Sequence, residues 1–282
     1  MAQNFRPSYI DKLWNVKSVK LPFSGASAHD LQITLKTALR TGKVQRVLFG
    51  LDVFSFTGAP TRLSNGPGSI PLYLYDDKIL NDIKYLLSID TLLFYKYLIK
   101  ANFTEKHSRY LDHDNYGYNG HTYEYSKNEV IKHWKKATFN KNFLKEDFES
   151  ITLINSFNTN LLEIIKENPN VKFDIFFPPY SILTWIDSKE KGLVKEFLVF
   201  KSYVVHKTSD LSNVRVFDFQ MNERIILDFD NYKDISHYSP LINDFIIESI
   251  SKGLFLSSQK IYDDKLNEFM NLINDQANNY PR

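Results

Sequence analysis

The sequence predicts an α/β protein built on a parallel sheet with helices on both faces. Three runs point there: "VQRVLFGLDVF" (44–54), "VKFDIFFPP" (171–179) and "VRVFDF" (214–219). Each is short, continuously apolar, rich in β-branched or aromatic residues and bounded by turn residues, as strands buried on both faces are. Segments with apolar residues at helical spacing separate the second run from the third and follow the third. Strand–helix alternation of this kind argues for a parallel sheet.

In chain order, "SVKLPF" (18–23) reads as a short strand, "SGAS" as a turn and "AHDLQITLKTALR" (28–40) as a helix. The strand at 44–54 runs into "TGAPTRLSNGPGSIP" (57–71), which its Gly, Pro, Ser and Asn content makes a loop. Apolar residues recur at helical spacing over 76–101, followed by the polar, Tyr-rich loop "EKHSRYLDHDNYGYNGHTYEY" (105–125) and the basic stretch "KNEVIKHWKKATF" (127–139). From about 148 the alternation resumes. A helix through "SITLINSFNTNLLEIIKENP" precedes the strand at 171–179, and a helix through "EKGLVKEFLVFKSYVVHK" precedes the strand at 214–219. Helices from "SPLINDFIIESI" and near 262–276 close the chain. Residues 1–282 therefore read as one α/β domain, in which 57–147 breaks the rhythm as a helical insertion or cap.

Composition narrows the chemistry. The chain has 282 residues, enough for a substantial core, and a formal charge of +2, too small to argue for nucleic acid or an anionic membrane as partner. It holds 22 Phe and 17 Tyr, material for an aromatic-lined cleft. It has no cysteine, which excludes disulfides, a thiol nucleophile and a Cys-based zinc site. No apolar run reaches the roughly 18 residues of a spanning helix. "MAQNFRPSYIDKLW" lacks the apolar core of a secretory signal.

In a parallel sheet, ligands bind at the C-terminal ends of the strands. Three polar groups fall at such places: "SGAS" after 18–23, "GLD" at the exit of the next strand, and "KDISHYSP" beyond the last one. The last holds Asp234 and His237, three residues apart, so a single loop delivers a carboxylate and an imidazole. Acyl transfer needs such a pair. The imidazole takes the proton of a serine hydroxyl, and the carboxylate fixes the tautomer and stabilises the imidazolium. Each group also has an ordinary reading, as turn glycine, strand-end cap or solvated loop.

With its order of blocks, the chain resembles the SGNH (GDSL-like) hydrolase superfamily. "LPFSGASAHDLQITL" is similar to that family's Gly block, "VLFGLDVF" to its Asn block and "KDISHYS" to its closing Asp-x-x-His block. The likeness covers about 1–56 and 170–255. It implies a flavodoxin-like α/β/α three-layer sandwich with a mostly parallel sheet. It gives Asp234 and His237 catalytic roles and puts Gly25 in the oxyanion-donor role. Asp52 stands where the family has Asn, and an ionised carboxylate repels an oxyanion. Asp52 is therefore protonated, turned away, bound to a substrate hydroxyl, or simply a turn cap. The family's nucleophilic Ser ends a strand ahead of the Gly block; by the resemblance it falls just before Met1, with a strand, preceded by a signal or anchor, expected upstream. Ser24 and Ser27 are the in-chain alternatives, though "PFSGAS" lacks the Gly-x-Ser-x-Gly of a nucleophile elbow, and both suit cleft lining or helix capping.

"FFPPYS" and "SHYSPLIND" are similar to SGNH-like proteins associated with bacterial surface polysaccharides. The resemblance thus implies a serine esterase or O-acyl(acetyl)transferase acting on a carbohydrate or other acylated small molecule, without cofactor, metal, nucleic acid or membrane span, and in the cell envelope if a signal or anchor precedes it. The alternative is a non-catalytic glycan-binding or polysaccharide-assembly protein on the same fold. "DHDNYGYNGHTYE" (112–124) approaches a calcium loop at Asp112, Asp114 and Gly117, but Tyr116 and Tyr123 stand where oxygen ligands are needed.

Overall fold

A computed structural model describes residues 5–21, 23, 25–64, 66, 70–103, 114, 123–136 and 144–281. The three apolar runs become strands β1 (Arg46–Gly50), β2 (Lys172–Phe177) and β3 (Val214–Asp218). They form one parallel sheet in the order β1-β2-β3, with Leu48 opposite Asp174 and Asp174 opposite Arg215. All three strands point the same way, so Leu51–Asp52, Pro178–Ser181 and Phe219–Gln220 leave along one edge.

The helices of five or more residues are α1 (Pro7–Trp14), α2 (Ala28–Arg40), α3 (Ile89–Phe103), α4 (Lys127–Lys136), α5 (Ser150–Phe157), α6 (Glu163–Glu167), α7 (Ile182–Glu190), α8 (Val194–Thr208), α9 (Pro240–Ser251) and α10 (Gln259–Asn279). A π turn (Asn158–Leu162) joins α5 to α6. Alternation along each strand decides what meets what. Phe176 packs against Phe5, just ahead of α1, and Phe219, which in turn meets Phe245 of α9. The opposite side chains, Phe177 and Asp218, meet Lys201 of α8, and Tyr262 of α10 also reaches Asp218. Phe157, Phe200, Ile175 and Phe217 are among the fully buried core residues.

At the N-terminal ends of the strands, buried Asp174 holds two arginines, one from each neighbour. Arg46 Nε donates to its Oδ2 at 2.5 Å and Arg215 Nε to its Oδ1 at 2.7 Å, while the Arg46 guanidinium stacks 3.7 Å from the Trp14 ring. One ionic bracket thus crosses all three strands.

The strand expected at 18–23 does not form: Ser18–Leu21 carries no strand or helix. A strand exists only with a partner, and this segment is tied to α1 instead. Ser18 N–H donates to Asp11 Oδ1 at 2.6 Å, and Lys20 Nζ to the Phe5 carbonyl at 2.9 Å. β1 also ends at Gly50, and Val53–Phe56 winds into a 3-10 turn rather than continuing the strand. Within 57–147 the described residues are helices and turns, with no strand among them. In α4, Val130 and Trp134 are buried, so the basic stretch is a half-packed helix rather than a wholly solvated one. The Tyr-rich stretch lies almost wholly outside the described residues, and Ser24 lies outside them too.

Candidate functional site

The loop between Tyr232 and Tyr238 is held closed by its own backbone. Tyr232 and Tyr238 form an antiparallel bridge, Lys233 N–H donates to the His237 carbonyl at 3.0 Å, and Ser239 N–H to the Asn231 carbonyl at 2.8 Å. The loop then docks on the β2–α7 connection. The Ile235 carbonyl accepts from Ser181 N–H at 3.1 Å, Ser181 Oγ at 2.6 Å and Thr184 Oγ1 at 2.6 Å, and the Tyr232 hydroxyl donates to the Pro179 carbonyl at 2.8 Å. Five successive residues are thereby fixed at the C-terminal edge of the sheet.

Within that loop Asp234 and His237 form the expected pair. His237 Nδ1 donates to Asp234 Oδ2 at 2.8 Å and lies 2.9 Å from Oδ1. Asp234 Oδ1 also accepts the backbone N–H groups of Ser236 and His237, each at 2.9 Å. Burial alone would raise the Asp234 carboxyl, but the His237 contact and these two N–H groups outweigh it and bring it down to about 2. The pair is an ionised carboxylate orienting an imidazole. The His237 side chain is 52% exposed, against 27% for Asp234. Among the described residues no hydrogen bond engages His237 Nε2, so it is open to a proton donor.

Asp52 lies near them: His237 is close enough to act electrostatically on its carboxyl. Asp52 caps the 3-10 turn by accepting Phe54 N–H at 3.0 Å through Oδ1. The turn-cap reading of Asp52 therefore holds, yet the carboxyl is not turned away from the edge. Tyr180, next after Pro178–Pro179, is 5% exposed. Its hydroxyl is near enough to act on the Asp52 carboxyl, but among the described residues it makes no hydrogen bond. Tyr238 is the second phenol beside Asp52. Asp52 is half-buried, and what burial it has moves its carboxyl up, against the opposing pull of Tyr180, of Phe54 N–H and of His237. Burial also pushes the Tyr180 and Tyr238 phenols up, so both remain protonated.

Gly25 sits in the turn before α2 at φ +66, a left-handed conformation that a side chain would strain, although no atom lies near enough to clash with one. Among the described residues its N–H has no acceptor, and no hydrogen bond joins it to Asp52 or His237. Ser27 is a helix cap: its Oγ accepts Asp30 N–H, and Asp30 returns a bond to Ser27 N–H at 2.8 Å. The same hydroxyl donates to the Arg62 carbonyl at 2.5 Å and is buried, which removes Ser27 as a nucleophile.

The sequence reading missed Tyr180, Tyr238, Ser181 and Thr184 as parts of this edge. "PPYS" directly after a strand was the available signal for Tyr180, since that position leaves the sheet at its ligand-binding side. Among the described residues no three His, Asp or Glu side chains gather as metal ligands, and no helix is long and apolar enough to cross a membrane. No family model matches the chain, and neither the curated proteins nor the solved structures contain a significant match to it.

Proposed function

We propose that this chain carries the acid–base half of an SGNH-like serine esterase or O-acyltransferase site, acting on an acylated carbohydrate. The observation that carries the reading is the Asp234–His237 pair: a carboxylate held by two backbone N–H groups, an oriented imidazole and an open Nε2 at the C-terminal edge of a parallel sheet. In the reaction His237 Nε2 accepts the proton of a serine hydroxyl as that oxygen bonds to the acyl carbon. It then returns the proton to the departing alkoxide. Asp234 keeps Nδ1 protonated and stabilises the imidazolium between the two steps.

The strand order supports the wider fold reading. β1-β2-β3 with helices against both faces corresponds to one side of a three-layer, flavodoxin-like sandwich. The nucleophile belongs, on this reading, to a further strand beside β1. The register leaves the backbone groups of Arg46, Leu48 and Gly50 facing away from β2, and among the described residues nothing pairs with them. A strand there would end beside Asp52. A second reading, glycan binding without turnover, is favoured by Asp52 itself, a side chain suited to a sugar hydroxyl.

The test is ester hydrolysis by the protein purified from the organism that makes it, with p-nitrophenyl acetate and an acetylated oligosaccharide as substrates. Turnover that falls roughly 10⁴-fold in His237→Ala is the expected result. Saturable oligosaccharide binding without turnover would transfer support to the second reading. Turnover indifferent to His237 would discard the acid–base role.

A further inference from the structure

We propose that Lys233, held against Tyr123, is a specificity-determining residue that selects sugars bearing a negative charge, carboxylate or phosphate, at the Asp234–His237 edge. The inference rests on the reading of that pair as the acid–base half of a carbohydrate site, and it adds the charge of the sugar.

The backbone of the loop sets Lys233 beside His237. Lys233 N–H donates to the His237 carbonyl at 3.0 Å, and the adjoining bridge joins Tyr232 to Tyr238. Lys233 and His237 therefore stand directly opposite each other across the turn 234–236, a placement that separates Cβ atoms by roughly 5 Å. Side chains alternate along paired segments. Tyr232 and Tyr238 are buried, so Lys233 and His237 share the other, outward face, where His237 is exposed and Lys233 half-buried.

A second element fixes the ammonium. The chain ahead of α4 is tied to the loop: Ser126 N–H donates to the Tyr232 carbonyl at 3.1 Å, and Lys127 N–H to Asp230 Oδ1 at 2.7 Å. That attachment brings Tyr123 to Lys233, whose Nζ lies 3.5 Å from the centre of the ring. A ring face holds a cation through its quadrupole and leaves the charge unneutralised. Among the described residues Lys233 forms no ion pair, and the neighbouring carboxylates are engaged elsewhere. Asp234 binds His237, Asp230 accepts Lys127 N–H, and Glu124 accepts the Ser126 hydroxyl at 3.1 Å.

The result is an oriented ammonium whose three N–H donors are not spent on a carboxylate, next to the imidazole. A fixed cation in that position gives a neutral sugar little and an anionic one an ion pair. Tyr123 is itself exposed, and its ring offers an apolar surface to the C–H face of a sugar.

The probes are glucuronate, glucose 6-phosphate and glucose, titrated into the full native chain while the ring resonances of His237 are followed by NMR. At least one anion should shift those resonances saturably and bind about fivefold or more tighter than glucose; the tighter of the two identifies carboxylate or phosphate as the charge selected. Lys233→Gln should bring the anions down to the level of glucose and leave glucose unchanged. Lys233→Arg keeps the charge and should keep the preference. Raising the salt from about 0.05 to 0.5 M should shrink the preference in the unaltered protein. A lysine that only clamps 123–127 to the loop would, on removal, weaken charged and uncharged sugars alike. Equal binding of the three sugars, no binding of either anion, or a preference untouched by Lys233→Gln overturns the proposal. The comparison of sugars on the unaltered protein decides the matter even if a variant fails to fold. Absence of ester turnover would count against the esterase reading alone, because sugar binding needs no turnover.

Discussion

At the scale of single residues, the Asp234 carboxyl couples the site to stability. Its folded value of about 2 lies below the usual 3.8. The group therefore adds stability that is complete above about pH 4 and lost as pH falls towards 2. A shift of this size corresponds to about 2 kcal/mol. Asp234→Asn should start less stable at neutral pH and lose less on acidification. Urea midpoints of both proteins at about pH 6 and pH 2.5 test this, and parallel losses would remove the role assigned to the two backbone N–H groups. The site was half legible at this scale. Asp234 and His237 stand three positions apart, so their meeting is local and the sequence displays it. Tyr180 meets Asp52 across 128 positions of chain, and no local pattern encodes that encounter.

At the scale of elements, buried Lys201 binds α8 to β3 and α10. Its Nζ lies 2.8 Å from Asp218 Oδ2 and donates to Gln220 Oε1 at 2.7 Å, and the Tyr262 hydroxyl donates to the same Asp218 oxygen at 2.6 Å. Its stem runs among Phe177, Trp185 and Phe269, with Nζ 5.0–5.3 Å from the three ring centres. Asp218→Ala strands a buried cation and should cost roughly 3–5 kcal/mol. Lys201→Met combined with Asp218→Leu removes both charges and should recover most of that loss. Denaturant midpoints of the single and double variants decide it; a double variant as weak as the single one would mean that the pair itself, not its unmet charge, supplies the stability. Elements were legible where local pattern sufficed. The runs at 44–54, 171–179 and 214–219 contain the strands because continuous apolar sequence suits a doubly covered sheet. "ILTWIDSKE" (182–190) was not read as a helix: Ile182, Leu183, Trp185 and Ile186 are buried around its circumference, leaving no amphipathic period to read. "SVKLPF" failed as a strand for the opposite reason, because strand character without a neighbour is only extended chain.

For the whole molecule, the sheet is asymmetric. Phe173 and Phe177 hydrogen-bond or face neighbours on both sides of β2, whereas among the described residues β1 has a neighbour on one side only. Leu51 N–H donates to the Phe176 carbonyl at 2.8 Å and Lys172 N–H to the Gln45 carbonyl at 3.0 Å. By alternation the amides of Val47 and Phe49 face β2, and those of Leu48 and Gly50 face outward. In residues 1–282 on their own, residue-resolved hydrogen exchange should show Leu48 and Gly50 exchanging at least tenfold faster than Val47 and Phe49. Equal protection at all four positions would reveal a partner along that edge.

An outward row of backbone donors and acceptors also makes concentration a variable of the protein's behaviour. Edges of this kind pair with any extended chain of matching register, another copy included. Dilute samples of residues 1–282 on their own should scatter light as monomers. Concentrated ones should show a rising mean mass that a charged or proline substitution at Leu48 suppresses, while the Asp234–His237 pair, on a loop fixed to β2, stays unchanged throughout.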